Sequence, residues 1–204
     1  MKVKICGITR EEDARLAAAL GADAIGMVFW PGSRRAVSVE QAQRIVATLP
    51  PLVAVVGVFV DQPADEIEAV ASAVRLGAVQ LHGRETPAFA RGLACRVIKA
   101  VPVGADGPTQ RTEDWAGTLL LLDADDPVHR GGTGRTIDWV QAARIARQQP
   151  VMLAGGLSPE NVTDAVAHVR PMGIDVSSGV ERAPGVKDPD RLRALFAALG
   201  RVEG

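Results

Sequence analysis

Apolar positions gather in eight short, nearly continuous runs along the chain, at 3–6, 24–29, 53–60, 78–81, 96–101, 118–123, 151–154 and 173–176. Short apolar runs rich in β-branched residues predict strands covered on both faces, as in a parallel sheet flanked by helices. Between most of them the pattern changes to helical spacing, as at 11–20 and 39–49. Thr9 with Glu12, and Ser38 with Gln41, have capping-box spacing. Ser158 before Pro159 and Asp188 before Pro189 predict N-caps with proline at the first helical position. Gly21 and Gly77 fall where helices should end. The stretch 102–117 breaks the rhythm. It is rich in glycine and proline with a polar middle, so a fifth helix there is short or missing. Eight strands with about seven helices suit an eight-fold barrel or a doubly wound sheet. No linker, low-complexity segment or strong repeat divides the chain, so residues 1–204 are expected to form one domain.

Composition narrows this further. The chain is 47% hydrophobic, enough for a substantial core. A formal net charge of -1 without a basic stripe argues against nucleic acid or a membrane surface as partner. No apolar run approaches the ~20 residues of a membrane span, and no leader pattern opens the chain. Cys6 and Cys95 are too few for a disulfide framework or a zinc site. The expectation is a cytoplasmic protein with free thiols.

Ligands of parallel α/β folds bind at the carboxyl ends of the strands. Here those ends carry Cys6, then Arg34 and Arg35, Asp61, His82, Lys99 and Asp123, with the glycine-rich stretch 131–134 soon after. Several have ordinary explanations. A lone cysteine packs well in a core, loop arginines are usually solvated, and His82 could bond a neighbouring loop. Trp115 and Trp139 fit packing better than cofactor stacking, and Asp125 and Asp126 fit a solvent-facing loop. Asp123 is harder to dismiss, because a carboxylate closing an apolar run is costly to bury unpaired. Gly155 and Gly156 follow the seventh run, and Ser177, Ser178 and Gly179 the eighth. Glycines let backbone N–H groups approach an anion, hydroxyls add donors, and a nearby helix N-terminus adds positive charge. Two such loops in those two slots predict a phosphate site.

The motifs "KICGIT", "QLHG", "LLLDA…GGTG", "AGGLSPENV" and "DVSSGVE…PGVKD" span nearly the whole chain. In this order they make the sequence similar to the phosphoribosylanthranilate isomerase family. The resemblance implies an α/β fold, a single (β/α)8 TIM barrel, with no cofactor and no metal. It implies the Amadori rearrangement of N-(5-phosphoribosyl)anthranilate to the carboxyphenylamino-deoxyribulose phosphate in tryptophan biosynthesis. It assigns the general base to Cys6 and the general acid to Asp123. It gives substrate binding to Arg35, His82, Gly155, Gly156, Asp175, Ser177, Ser178 and Gly179, with Arg35 on the anthranilate carboxylate. The partner is then a small phosphorylated sugar-anthranilate, with no nucleic acid and no membrane, and the assembly a monomer in preference to a homodimer. Ala36 follows Arg35 where the family often has an aromatic residue, which bears on the packing of that loop. Work near neutral pH would need Asp123 raised from ~3.9 and Cys6 lowered from ~8.5 by nearby cations or helix dipoles. Two alternatives are another cofactorless sugar-phosphate barrel enzyme and a non-catalytic phosphate-binding regulator. The epimerases of this shape gather metal-ligating histidines, whereas His82, His129 and His168 are scattered. A regulator has no use for both Cys6 and Asp123.

Overall fold

A computed structural model describes residues 1–124 and 137–200 of the chain. Its strands are β1 (Lys2–Ile5), β2 (Ala24–Val28), β3 (Ala54–Phe59), β4 (Ala78–Leu81), β5 (Val97–Gly104), β6 (Leu119–Ala124), β7 (Val151–Leu153) and β8 (Gly173–Val176). Each pairs in parallel with its successor, and β8 returns to β1 with Lys4 opposite Asp175. The result is a closed barrel, which removes the edges that a doubly wound sheet would leave. The helices are α1 (Glu11–Ala19), α2 (Val39–Val46), α3 (Ala64–Val74), α4 (Pro87–Gly92), α5 (Trp139–Ala146), α6 (Val162–Val169) and α7 (Pro189–Ala198). None of the described helices is long and apolar enough to cross a membrane.

Alternation along each strand sorts the side chains into two compartments. Val3, Ile5, Ile25, Leu120, Leu122, Ile174 and Val176 belong to the main apolar core, between barrel and helices. The intervening positions, such as Lys4 and Cys6 or Leu121 and Asp123, turn into the barrel. No α-helix joins β5 to β6. Gly107–Pro108 folds back on β5, and a 3-10 turn over Thr112–Trp115 follows. Trp115, 3% exposed, packs into the main core here, with the Lys99 ammonium 5.5 Å from its ring centroid.

The helix-end expectations divide. Ser38 caps α2 by accepting from Gln41 N–H, and Asp188 caps α7 ahead of Pro189. Gly21 adopts the left-handed backbone that closes α1, with φ 99°. Thr9 does not cap α1. The N-cap is Arg10, whose guanidinium holds Asp13 in the first turn. Ser158 does not cap α6 either. A turn intervenes and the helix starts at Val162, while Asn161 Oδ1 accepts from Ser158 N–H. Gly77 is not a helix end, because Arg75 takes the left-handed position after α3 and Gly77 enters β4.

Candidate active site

Strand β1 delivers the cysteine. Cys6 N–H donates to Val176 O at 2.9 Å, which stitches the end of β1 to β8. A Cβ at Gly26 would lie 2.8 Å from Cys6 Sγ and 3.0 Å from Lys4 Nζ. The missing side chain leaves the space that thiol and ammonium share. Lys4 lies two residues before Cys6 and so on the same strand face. Its ammonium donates to Gln80 Oε1 and Asp175 Oδ2, both at 2.9 Å. The Gln80 amide meets His82 Nδ1 at 3.0 Å, and His82 Nε2 lies 3.2 Å from Asp123 Oδ2. Asp123 Oδ1 accepts from Ala124 N–H at 2.8 Å. Polar contacts therefore run from the Lys4 ammonium, beneath Cys6, across the barrel to Asp123.

The electrostatics correct one expectation. Burial pushes the Cys6 thiol above its ordinary value, and Lys4 only partly offsets this, with Asp175 adding to the rise. Burial thus works against a pre-formed thiolate, the opposite of the lowering expected. Burial also raises Asp175, against the pull of Lys4. Burial works against the charge on Lys4, but Asp175 and Cys6 outweigh it and raise its pKa. One oxygen of Asp175, Oδ1, is buried at the cavity with no hydrogen-bond partner among the described residues.

The mouth of the barrel holds Arg35 on one side and the glycine loops on another. Arg35 is no solvated loop charge. Its Nε donates to Glu181 Oε1 at 2.9 Å and its Nη2 to Glu181 Oε2 at 2.7 Å. Glu181 in turn holds the Lys187 ammonium at 2.9 Å. Ala36 is exposed and bridges to Val28, so the arginine loop is held through its backbone. Gly155 and Gly156 both have positive φ, 78° and 67°, which turns the backbone after β7 back over the barrel. No acceptor among the described residues takes up the N–H groups of Gly156, Ser178 or Gly179. A Cβ on Gly179 would strike Leu157 O at 1.9 Å, so this glycine is where the two loops touch.

One cavity is lined by Cys6, Arg35, His82, Asp123, Gly155, Gly156, Asp175, Ser177 and Ser178, together with Trp30 and Gln80. Asp61 and Lys99, also at strand ends, do not join it. They brace the β3, β4 and β5 loops, where Lys99 bonds Glu85 and Gly83 O, and Asp61 N–H donates to Glu85. Arg34 is exposed. The stretch 131–134, His129, Asp125 and Asp126 lie outside the described residues. The sequence reading missed Lys4, Gln80, Glu181 and Lys187. The signal for the first two was available: a lysine and a glutamine inside apolar strands, each two residues before an assigned residue.

The family model for N-(5'phosphoribosyl)anthranilate (PRA) isomerase matches residues 3–198. An N-(5'-phosphoribosyl)anthranilate isomerase of Geotalea uraniireducens is 49% identical over 195 residues, 96% of either chain. The crystal structure of phosphoribosyl anthranilate isomerase from Thermotoga maritima superposes with a TM-score of 0.92 at 43% identity, over 99% of this chain and 100% of that one. A second structure, of the isomerase with reduced 1-(o-carboxyphenylamino)-1-deoxyribulose 5-phosphate, has a TM-score of 0.84 at 41% identity, over 98% of this chain and 99% of that one.

Proposed function

The chain belongs to the N-(5'-phosphoribosyl)anthranilate isomerase family, and from that premise we propose that Cys6 and Asp123 divide the acid–base work of its reaction. The activity is an aldose–ketose isomerisation of N-(5'-phosphoribosyl)anthranilate. The observation that carries the assignment is that Cys6 and Asp123 line one cavity, with Arg35 and the glycine loops at its rim.

The steps follow from these groups. Asp123, carrying a proton, gives it to the ring oxygen of the sugar. The ring opens to an iminium, which withdraws electrons from C2. Cys6 passes its own proton to water to become a thiolate, and the thiolate then removes the proton on C2. The enolamine that results tautomerises to the ketose. The substrate's nitrogen is the electron sink, so the chemistry asks for no cofactor. Burial makes the thiolate expensive, and Lys4 supplies the compensating charge as it forms. Arg35 receives the carboxylate on the aromatic ring. His82 and Asp175 face the sugar, and Gly155, Gly156, Ser177, Ser178 and Gly179 cradle the phosphate.

The whole chain, residues 1–204, is proposed as one barrel domain, cytoplasmic and monomeric. The residues assigned to the reaction that line the cavity come from a single chain. Sedimentation equilibrium checks the assembly. Turnover of N-(5'-phosphoribosyl)anthranilate by the wild type, by Cys6→Ser and by Asp123→Asn tests the mechanism. Full activity in either variant removes that residue from it.

A further inference from the structure

Apart from Asp188, which caps α7, the motif "DVSSGVE…PGVKD" contains two charged residues that the reaction does not use, Glu181 and Lys187. They face each other across a short antiparallel ribbon, Glu181–Ala183 with Val186–Lys187, in which Glu181 is the register partner of Lys187. The Glu181 side chain is 4% exposed and that of Lys187 is 0% exposed. Two buried charges off the reaction path are costly unless their position is used.

Their contacts show what they position. Glu181 engages Arg35 along one edge of the guanidinium, through Nε and Nη2. A guanidinium has a second edge, where Nη1 and the other Nη2 hydrogen form another fork. Arg35 lines the cavity, and among the described residues its side-chain hydrogen bonds all use the Glu181 edge, which leaves the other fork for a ligand. The stem of Arg35 is confined as well. A Cβ on Gly7 would lie 2.6 Å from Arg35 Cδ and 2.9 Å from Ser177 Oγ, so the arginine crosses directly over the backbone that follows Cys6. Lys187 completes the frame. Its ammonium donates to Glu181, to Ser177 O at 3.0 Å and to Cys6 O. One buried cation thus ties together the carboxylate that aims Arg35, the phosphate loop and the backbone of the base.

We propose that Glu181, anchored by Lys187, is a specificity-determining positioning residue. It fixes Arg35 by one guanidinium edge so that the other edge forms a preset fork for the ring carboxylate, in register with Cys6 and the phosphate loop. The inference rests on the assignment of Arg35 to that carboxylate. It implies that Arg35 need not leave Glu181 when substrate enters. Discrimination for a carboxylated aryl ring then depends on Glu181, which never touches the ligand.

The test is binding, measured by calorimetry, of two reduced product analogues. One is 1-(o-carboxyphenylamino)-1-deoxyribulose 5-phosphate in reduced form, and the other is its phenylamino counterpart without the carboxylate. The proteins are the wild type, Arg35→Ala, Glu181→Gln and Glu181→Asp, each checked for a folded barrel by its melting transition. A preset charge-assisted fork should favour the carboxylated analogue on the order of 10–100-fold. The expected result is that all three variants lose most of that preference while retaining affinity for the phenylamino analogue. If Arg35→Ala loses the preference and the folded Glu181 variants keep it, the role given to Glu181 is wrong and that of Arg35 stands. If Arg35→Ala keeps the preference, the Arg35 assignment falls and takes this inference with it. If the Glu181 variants weaken both analogues equally, Glu181 is merely structural and the proposal is overturned. Should Glu181→Gln fail to fold, Glu181→Asp, which keeps the charge but shortens the reach, decides on the same terms.

Discussion

The two halves of the barrel interior are built on opposite principles. On the side of β5, β6 and β7 the inward positions are Ala100, Leu121, Met152 and Ala154, with Ile98 and Leu119 packed beside them. From β1 and β8, with β4 reaching in from the opposite wall, they are Lys4, Asp175 and Gln80, all buried and linked by hydrogen bonds of 2.9 Å. The apolar half gains from leaving water and needs no particular partner. The polar half carries a desolvation cost and holds only as a network, because each member removed strands another. Yet the reactive thiol lies on the polar half. A thiolate in this interior needs a cation within reach, and Lys4 on the polar half supplies it, with Lys187 adding a smaller pull from behind the strand end. The carboxyl partner of the reaction, Asp123, rises instead from the apolar side, two residues beyond Leu121, and meets His82 over the end of β5. The difference teaches that one half sets the shape and the other sets the charge.

The most severe way to break this arrangement is to remove the reactive groups that stand above each half. Cys6→Ser and Asp123→Asn should each lower kcat by about 10²–10⁴-fold with the barrel intact. Steady-state rates on purified protein, with product identified, measure this.

Next in size is a matched pair of substitutions below them. Lys4→Met strands Asp175 and should cost about 3–5 kcal/mol of stability. Leu121→Ala opens a void and should cost about 2–5 kcal/mol. Denaturant unfolding gives both numbers, and similar costs would not separate the halves. Thiol alkylation as a function of pH does. Lys4 pulls the Cys6 pKa down against burial, so its loss should move the alkylation midpoint further upward. Leu121→Ala should leave that midpoint where it is. Equal midpoints in wild type and Lys4→Met would show that the polar half does not serve the thiol.

A smaller effect belongs to the phosphate loop over β7. Gly156 has φ 67°, so Gly156→Val should cost about 1–2 kcal/mol in backbone strain. It should also abolish competitive inhibition by inorganic phosphate. Inhibition unchanged in a folded variant would move the phosphate elsewhere.

The smallest expected effect is a pH slope. Burial works to raise Glu181, but Arg35 and Lys187 outweigh it and hold its carboxyl below the usual range. The unfolded chain then binds the proton first as pH falls. Stability from this group is complete above the ordinary glutamate value and is lost as pH drops through the depressed one. Burial raises Cys6, so its slope has the opposite sign, with stability falling as pH rises between the ordinary and raised thiol values. Melting temperature against pH should show both limbs, and Glu181→Gln should flatten the acid one alone.

Much of this molecule could be read from its sequence. The eight runs became eight strands, because strands covered on both faces must be apolar throughout, and that is a local property of composition. The missing fifth helix was equally local, since glycine and proline in 102–117 cannot hold one. Helix ends were less secure. Thr9 had the spacing to cap α1, yet its hydroxyl bonds Gly185 O, more than 170 positions away in the chain. The motif residues lining the cavity were legible because strand ends converge whenever a barrel closes. What the sequence could not decide is everything that depends on who faces whom. Lys4 meets Asp175 only because closure puts β8 beside β1, and Arg35 meets Glu181 only because two loops far apart in sequence cross above Gly7. The thiol's upward shift belongs to the same class. Residue types fix the ordinary pKa of a side chain, but burial and neighbouring charge are fixed by tertiary packing alone.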